Sequence, residues 1–116
     1  MTYRMFEVPD YDDFVAALGV APTAVGKEQV QRLSFEKEAE TLVVTLDPLG
    51  QSIHCRWSRE GEILADVFRE GAVEVGFNSS ESHTSLILYF KTDCQHGTLE
   101  VQLSPVFSLR DQLLFH

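Results

Sequence analysis

His54, Asp66 and Glu74 are the residues of this chain whose types and spacing come nearest to chemistry. A histidine beside a carboxylate suits an oriented general base, and one histidine with two carboxylates can hold a divalent ion with open positions. Both roles require the three side chains to converge on one face. A competing reading needs no chemistry: Asp66 directly opposite Glu74 is a repulsive pair unless a cation intervenes, and Arg56 or Arg32 can supply it. The row is then a solvated face of weak ion pairs. A third reading is a partner-binding face, because Val43, Leu64, Phe68, Ile87 and Tyr89 are expected on the same side. Apolar and aromatic groups among charges have the composition of a protein interface. A cover formed by the C-terminal segment or by the loop before residue 29 is the alternative for those apolar groups.

Other combinations carry less. His54-Cys55 with Cys94 and His96 resembles a four-ligand zinc set only in composition, since adjacent strand residues point to opposite faces. Cys55 reads as a small buried hydrophobe, and Cys94-Gln95-His96-Gly97 as a hairpin loop. Asn78-Ser79-Ser80-Glu81-Ser82-His83 places serines near a histidine without a nucleophile elbow, so it reads as a polar loop. No glycine-rich phosphate cradle follows a strand. No catalytic residue, metal ligand or cofactor is assigned on these grounds.

The elements that would position these groups follow from hydrophobic period. Asp10 can cap a helix running to Leu18, Asp12 and Asp13 suit its positive end, and Gly19 can close it in a left-handed conformation. Tyr11, Phe14, Val15 and Leu18 recur at helical spacing and are expected to face the core. Residues 19 to 28, with Pro22 and Gly26, read as a loop. From residue 29 the period becomes two, giving strands near 30–36, 41–47, 52–58, 62–68, 72–78, 84–92 and 98–104. Connectors this short imply successive antiparallel hairpins, a meander.

Arg59-Glu60-Gly61 and Arg69-Glu70-Gly71 repeat one another, and each suits a type I turn followed by a left-handed glycine bulge. That geometry sets Trp57 opposite Ile63, Cys55 opposite Ala65 and Ile53 opposite Val67. Val67 then faces Val73, Ala65 faces Val75, and Ile63 faces Phe77. A plain two-residue turn at Glu60-Gly61 instead sets Asp66 against Cys55 on the apolar face, which disfavours it. Leu46, Val44 and Leu42 are expected beside Ile53, Cys55 and Trp57, with Leu33 and Phe35 adjoining. Leu86, Leu88 and Phe90 are expected beside Leu103, Val101 and Leu99. The resulting parity puts His54, Asp66 and Glu74 in one outer row, with Thr45 and Arg32 continuing it.

The fold expected is α+β and mainly β: an antiparallel meander of about seven strands, strongly curled or barrel-like, packed on a short N-terminal helix. The segment PVFSLRDQLLFH after residue 104 is an eighth strand or a C-terminal helix capped by Ser108, the helix being favoured. Its Phe107, Leu109, Leu113, Leu114 and Phe115 either complete the core or form a homodimer contact.

Composition narrows the function. At 116 residues, 44% hydrophobic, the chain suits a single domain, 1–116. Nine Lys and Arg against 18 Asp and Glu give a net charge of -9, which argues against nucleic acid. No apolar run approaches the roughly 20 residues of a membrane helix. The opening MTYRMFEVPDYDD lacks the pattern of a signal peptide, so the expected compartment is the cytosol, where Cys55 and Cys94 stay as thiols. The function expected is a non-enzymatic acidic binding domain of the inhibitor, immunity-protein or chaperone kind, meeting a basic protein through His54, Arg56, Leu64, Asp66, Phe68, Glu74 and Tyr89. The alternative is a carrier whose curled sheet encloses an apolar ligand among Trp57, Phe77, Leu88 and Phe90. An enzyme or metal site at His54, Asp66 and Glu74 comes third.

Overall fold

The computed structural model describes residues 6–26, 29–93 and 95–115, with the backbone alone at 113–115. In chain order the elements are α1 (Tyr11–Leu18), β1 (Thr23–Val25), β2 (Val30–Lys37), β3 (Glu40–Asp47), β4 (Ser52–Arg59), β5 (Glu62–Glu70), β6 (Ala72–Ser79), β7 (Thr84–Lys91), β8 (Gln95–Ser104) and β9 (Ser108–Phe115). Two antiparallel sheets result, ordered β1-β2-β3-β4-β5 and β6-β7-β8-β9.

Helix α1 ends as its sequence dictates. The Asp10 backbone N–H donates to the Asp13 carboxylate at 3.3 Å, and Gly19, at φ 72°, donates its N–H to the Val15 carbonyl. Of its apolar residues Phe14 is fully buried and Leu18 packs at the core margin, while Tyr11 and Val15 face outward.

The β2–β3–β4 register is the expected one: Leu33 faces Val44, Phe35 faces Leu42, and Leu46, Val44 and Leu42 face Ile53, Cys55 and Trp57. At the β3–β4 turn the Gly50 N–H donates to Asp47 Oδ1 at 2.9 Å, the local bond that makes Asp a turn former. The β4–β5 hairpin differs from the expectation. Glu60 and Gly61 both have positive φ, 50° and 84°, so the turn has two residues, and the register then shifts between Trp57 and Ser58. The shift returns Asp66 to the outer face, where it lies opposite Arg56, and puts Trp57 opposite Ala65 and Cys55 opposite Val67. A bulge thus resolves the conflict that a plain two-residue turn creates.

The larger correction is at Gly71. β5 and β6 do not pair; the chain passes from one sheet to the other, so Val67, Ala65 and Ile63 do not face Val73, Val75 and Phe77. The corner is tied to both sheets, with the Gly71 and Ala72 N–H groups donating to the Gln51 carbonyl and the Lys91 N–H donating to the Gly71 carbonyl. Folding over here lets two apolar faces cover each other, whereas one continuous sheet needs to close on itself to do so. The architecture is therefore two sheets and not one curled or barrel-like sheet. Leu33, Leu42, Val44, Ile53 and Cys55 from the first join Val75, Leu86, Leu88, Leu99 and Val101 from the second in one buried cluster.

Two further expectations are corrected. Residues 23–25 form a short strand within the expected loop, and Ser108–Phe115 is strand β9, not a helix. Pairing with β8 takes up one side of the β9 backbone and sets Leu109 opposite Val101. Phe107 is buried and Leu109 packs on the core, so both complete the interior; the side chains of Leu113, Leu114 and Phe115 lie outside the described ones. In the second sheet Leu86 faces Val101 and Leu88 faces Leu99, two residues away from the expected partners but on the same face. No described helix is long and apolar enough to cross a membrane.

Candidate functional site

The outer face of β4 and β5 brings part of the expected row together. Thr45 lies opposite His54 and Arg32 opposite Thr45, but Phe68, not Asp66, lies directly opposite His54. Asp66 sits one step diagonally away and collects two donors. His54 Nε2 meets Asp66 Oδ1, and Arg56 Nη2 donates to Oδ2 at 3.0 Å. An ionised carboxylate only accepts, so His54 Nε2 carries the proton. The His54 hydrogen bond first, then that of Arg56, hold the Asp66 carboxyl below the usual carboxylate range.

Glu74 is not part of this cluster. It lies on β6 in the other sheet, opposite Tyr89, where the Glu7 backbone N–H bonds the Val73 carbonyl beside it. The row of His54, Asp66 and Glu74 therefore does not exist, because it required β6 to pair with β5. Tyr89 and Ile87 leave the site for the same reason. Among the described residues no group of three or more His, Cys, Asp or Glu is placed to hold a metal ion.

What remains is a mixed polar and apolar surface. Phe68 is 64% exposed, Ile63 56% and Leu64 48%, which makes β5 the strand with the largest share of exposed bulky apolar groups among the described residues. Phe68 lies directly opposite His54 and half-buried Val43 opposite Arg56, while Ile63 and Leu64 precede Asp66 on the same strand. Ile63, Leu64 and Phe68 are left exposed by the described residues of the C-terminal segment and of the loop before residue 29. Ile63 was expected to face inward; the bulge pairs it with Ser58 and turns it out, a consequence of turn type that alternation does not reveal.

Beneath this face Cys55 is buried and free, its thiol pushed up to about 12 by burial and secondarily by the Asp66 charge. It stays protonated and unreactive at neutral pH. His54 and Cys55 point to opposite sides of the sheet, as strand geometry requires, and Cys94 lies outside the described residues. The proposed carrier lining is also occupied: Leu88 and Phe90 belong to the core, Trp57 and Phe77 pack against it, and Phe14 of α1 meets the Phe77 ring edge-on at 5.6 Å.

Fold and site together define a small antiparallel two-sheet domain with an outward-facing mixed patch. Its backbone is similar, at a TM-score of 0.82 and 6% sequence identity, to a chain of a contact-dependent growth inhibition toxin–immunity protein complex from Klebsiella pneumoniae 342, over 97% of this chain and 100% of that one. At that identity the likeness is one of fold. No protein-family model matches the sequence, and no curated protein matches it either.

Proposed function

We propose that this chain is a non-enzymatic protein-binding domain of the immunity-protein type, which engages a basic protein in the cytoplasm through the outer face of β4 and β5. The observation that carries this reading is the exposure of Ile63, Leu64 and Phe68 around the Asp66 cluster. Exposed bulky apolar groups beside positioned charges supply the anchors and the register of an interface. Two facts support it. A chain of the same fold occurs in a toxin–immunity protein complex, and a net charge of -9 favours encounter with a basic surface.

Affinity capture with the tagged full chain tests this. The expected result is a basic protein retained at low salt and released as salt rises, with retention lost in the double variant Leu64→Ser, Phe68→Ser. Both residues are exposed, so the variant keeps its fold. Failure to retain any protein removes the reading, and equal retention by the variant moves the interface elsewhere.

A further inference from the structure

The outer face of the second sheet carries a separate polar bowl of about 350 Å3, on residues outside the proposed interface. A cross-strand row of Asn78, Ser85, Gln102 and Ser108 forms its floor, and Glu100 lies opposite Arg110 in the adjoining row. Ser80 and His83, from the β6–β7 connection, complete the lining, and none of the lining side chains is apolar.

Several of these groups are fixed in advance and left open. Gln102 Nε2 donates to the Val106 carbonyl at 2.8 Å, which orients the amide and leaves its oxygen without a partner among the described residues. His83 Nδ1 is engaged by Ser82 Oγ at 2.8 Å, and the His83 backbone N–H donates to Ser80 Oγ at 3.1 Å, so the ring is held with Nε2 unengaged. Ser85 is 2% exposed, lines the bowl, and makes no side-chain hydrogen bond among the described residues. Its hydroxyl is not among the fully buried atoms left without a partner, so the little surface that Ser85 keeps includes this oxygen, at the floor of the bowl. Glu100 and Arg110, though directly opposite, form no ion pair among the described residues, with each other or with any other group.

We infer that this bowl binds a neutral polyhydroxylated ligand, a single sugar ring, with Glu100 accepting from one hydroxyl, Arg110 donating to its neighbour and Ser85 pairing at the floor. The volume lies at the small end of ligand sites, which run from about 300 to 1,000 Å3. The charges of Glu100 and Arg110 offset each other, and the lining mixes donors with acceptors. Sugar hydroxyls, which both donate and accept, match such a mixture. An anion is opposed by Glu100 and by the charge of the whole chain, and an apolar ligand finds no apolar wall. Preorganised partners lower the ordering cost of binding.

Titration of the isotopically labelled full chain with glucose and with ribose, followed by amide NMR, tests the inference, with inorganic phosphate and glycine as competing probes. Saturable shifts confined to the neighbourhood of Ser85, Gln102 and Arg110 are expected with at least one sugar. Glu100→Gln should weaken them roughly tenfold or more, the scale of one hydrogen bond to a charged group. Ser85→Val should abolish them; should that variant fail to fold, Glu100→Gln, at a half-buried surface position, carries the test alone. No saturable shift with either sugar, a response to phosphate or glycine only, or sugar binding untouched by Glu100→Gln each overturns it. Because Leu64 and Phe68 lie on the other sheet, their double variant should leave sugar shifts unchanged, so this result stands or falls apart from the protein-binding one.

Discussion

Asp66 gathers two donors on an open sheet face, and its titration reports whether they are in place. Its folded carboxyl is depressed from the ordinary 3.8, so an NMR-detected midpoint below that value is expected, returning toward it in His54→Ala. The sign follows from linkage: whatever stability the cluster gives is full above the ordinary carboxylate range and is lost as pH falls through the lower folded value. Asp111 obeys the same sign for a different reason. Arg69 of β5 reaches it across the two sheets, donating through Nη1 to Oδ1 at 2.7 Å and through Nη2 to Oδ2, while its guanidinium lies 4.9 Å from the Phe90 ring centroid. That bidentate contact holds the Asp111 carboxyl down. Asp111→Asn should cost about 1 kcal/mol or less in urea unfolding at neutral pH, because Asp111 is half exposed, and the difference should vanish in acid below its folded pKa. No residue pattern announces this pair, since 42 positions separate its members and only the meeting of two sheets joins them.

At the scale of elements, the β4–β5 hairpin shows how far alternation reads and where it stops. Period two correctly put His54, Arg56 and Asp66 outside and Ile53 and Cys55 inside, because one face had to be apolar. It could not choose between a three-residue loop and a two-residue turn followed by a bulge, since both rescue Asp66 from the interior. Backbone conformation decides: Glu60 at φ 50° and Gly61 at φ 84° form the mirror-image turn whose preferred residues are Asn-Gly. Glu60→Asn is therefore expected to stabilise the protein by about 0.5–1 kcal/mol, and Gly61→Ala to cost about 1–2 kcal/mol. Paired denaturant curves check both. Two variants that moved stability by equal amounts in the same direction would contradict this turn geometry. The C-terminal segment is ambiguous for a related reason: Leu109, Leu113 and Leu114 fit either period, and only a free edge on β8 selects the strand.

For the whole molecule, the fold-over at Gly71 is what the sequence concealed and what dissolved the row with Glu74. Alternation says which face of a strand is apolar but not which apolar face it meets. The repeated Arg-Glu-Gly turns therefore looked alike, although one closes a hairpin and the other changes sheets. At Gly71, φ is 87° and an added Cβ would lie 3.1 Å from Thr92 Cγ2, so the second turn answers to tertiary packing that its own residues do not encode. The helix enters the same arrangement through one side chain. Phe14 is fully buried against Phe77 of β6, within the cluster to which both sheets contribute, while Tyr11 on the same helix is 56% exposed. If α1 completes the shared interior, Phe14→Ala should cost about 3–5 kcal/mol, a large fraction of the 5–15 kcal/mol typical of a domain. Tyr11→Ala should stay within about 0.5 kcal/mol. Thermal unfolding followed by Trp57 fluorescence separates these outcomes: Trp57 packs against the core from the first sheet, so a Phe14 defect transmitted through a common interior must lower its transition as well. A Phe14 variant that melted with the wild type would show that the two sheets hold together without the helix.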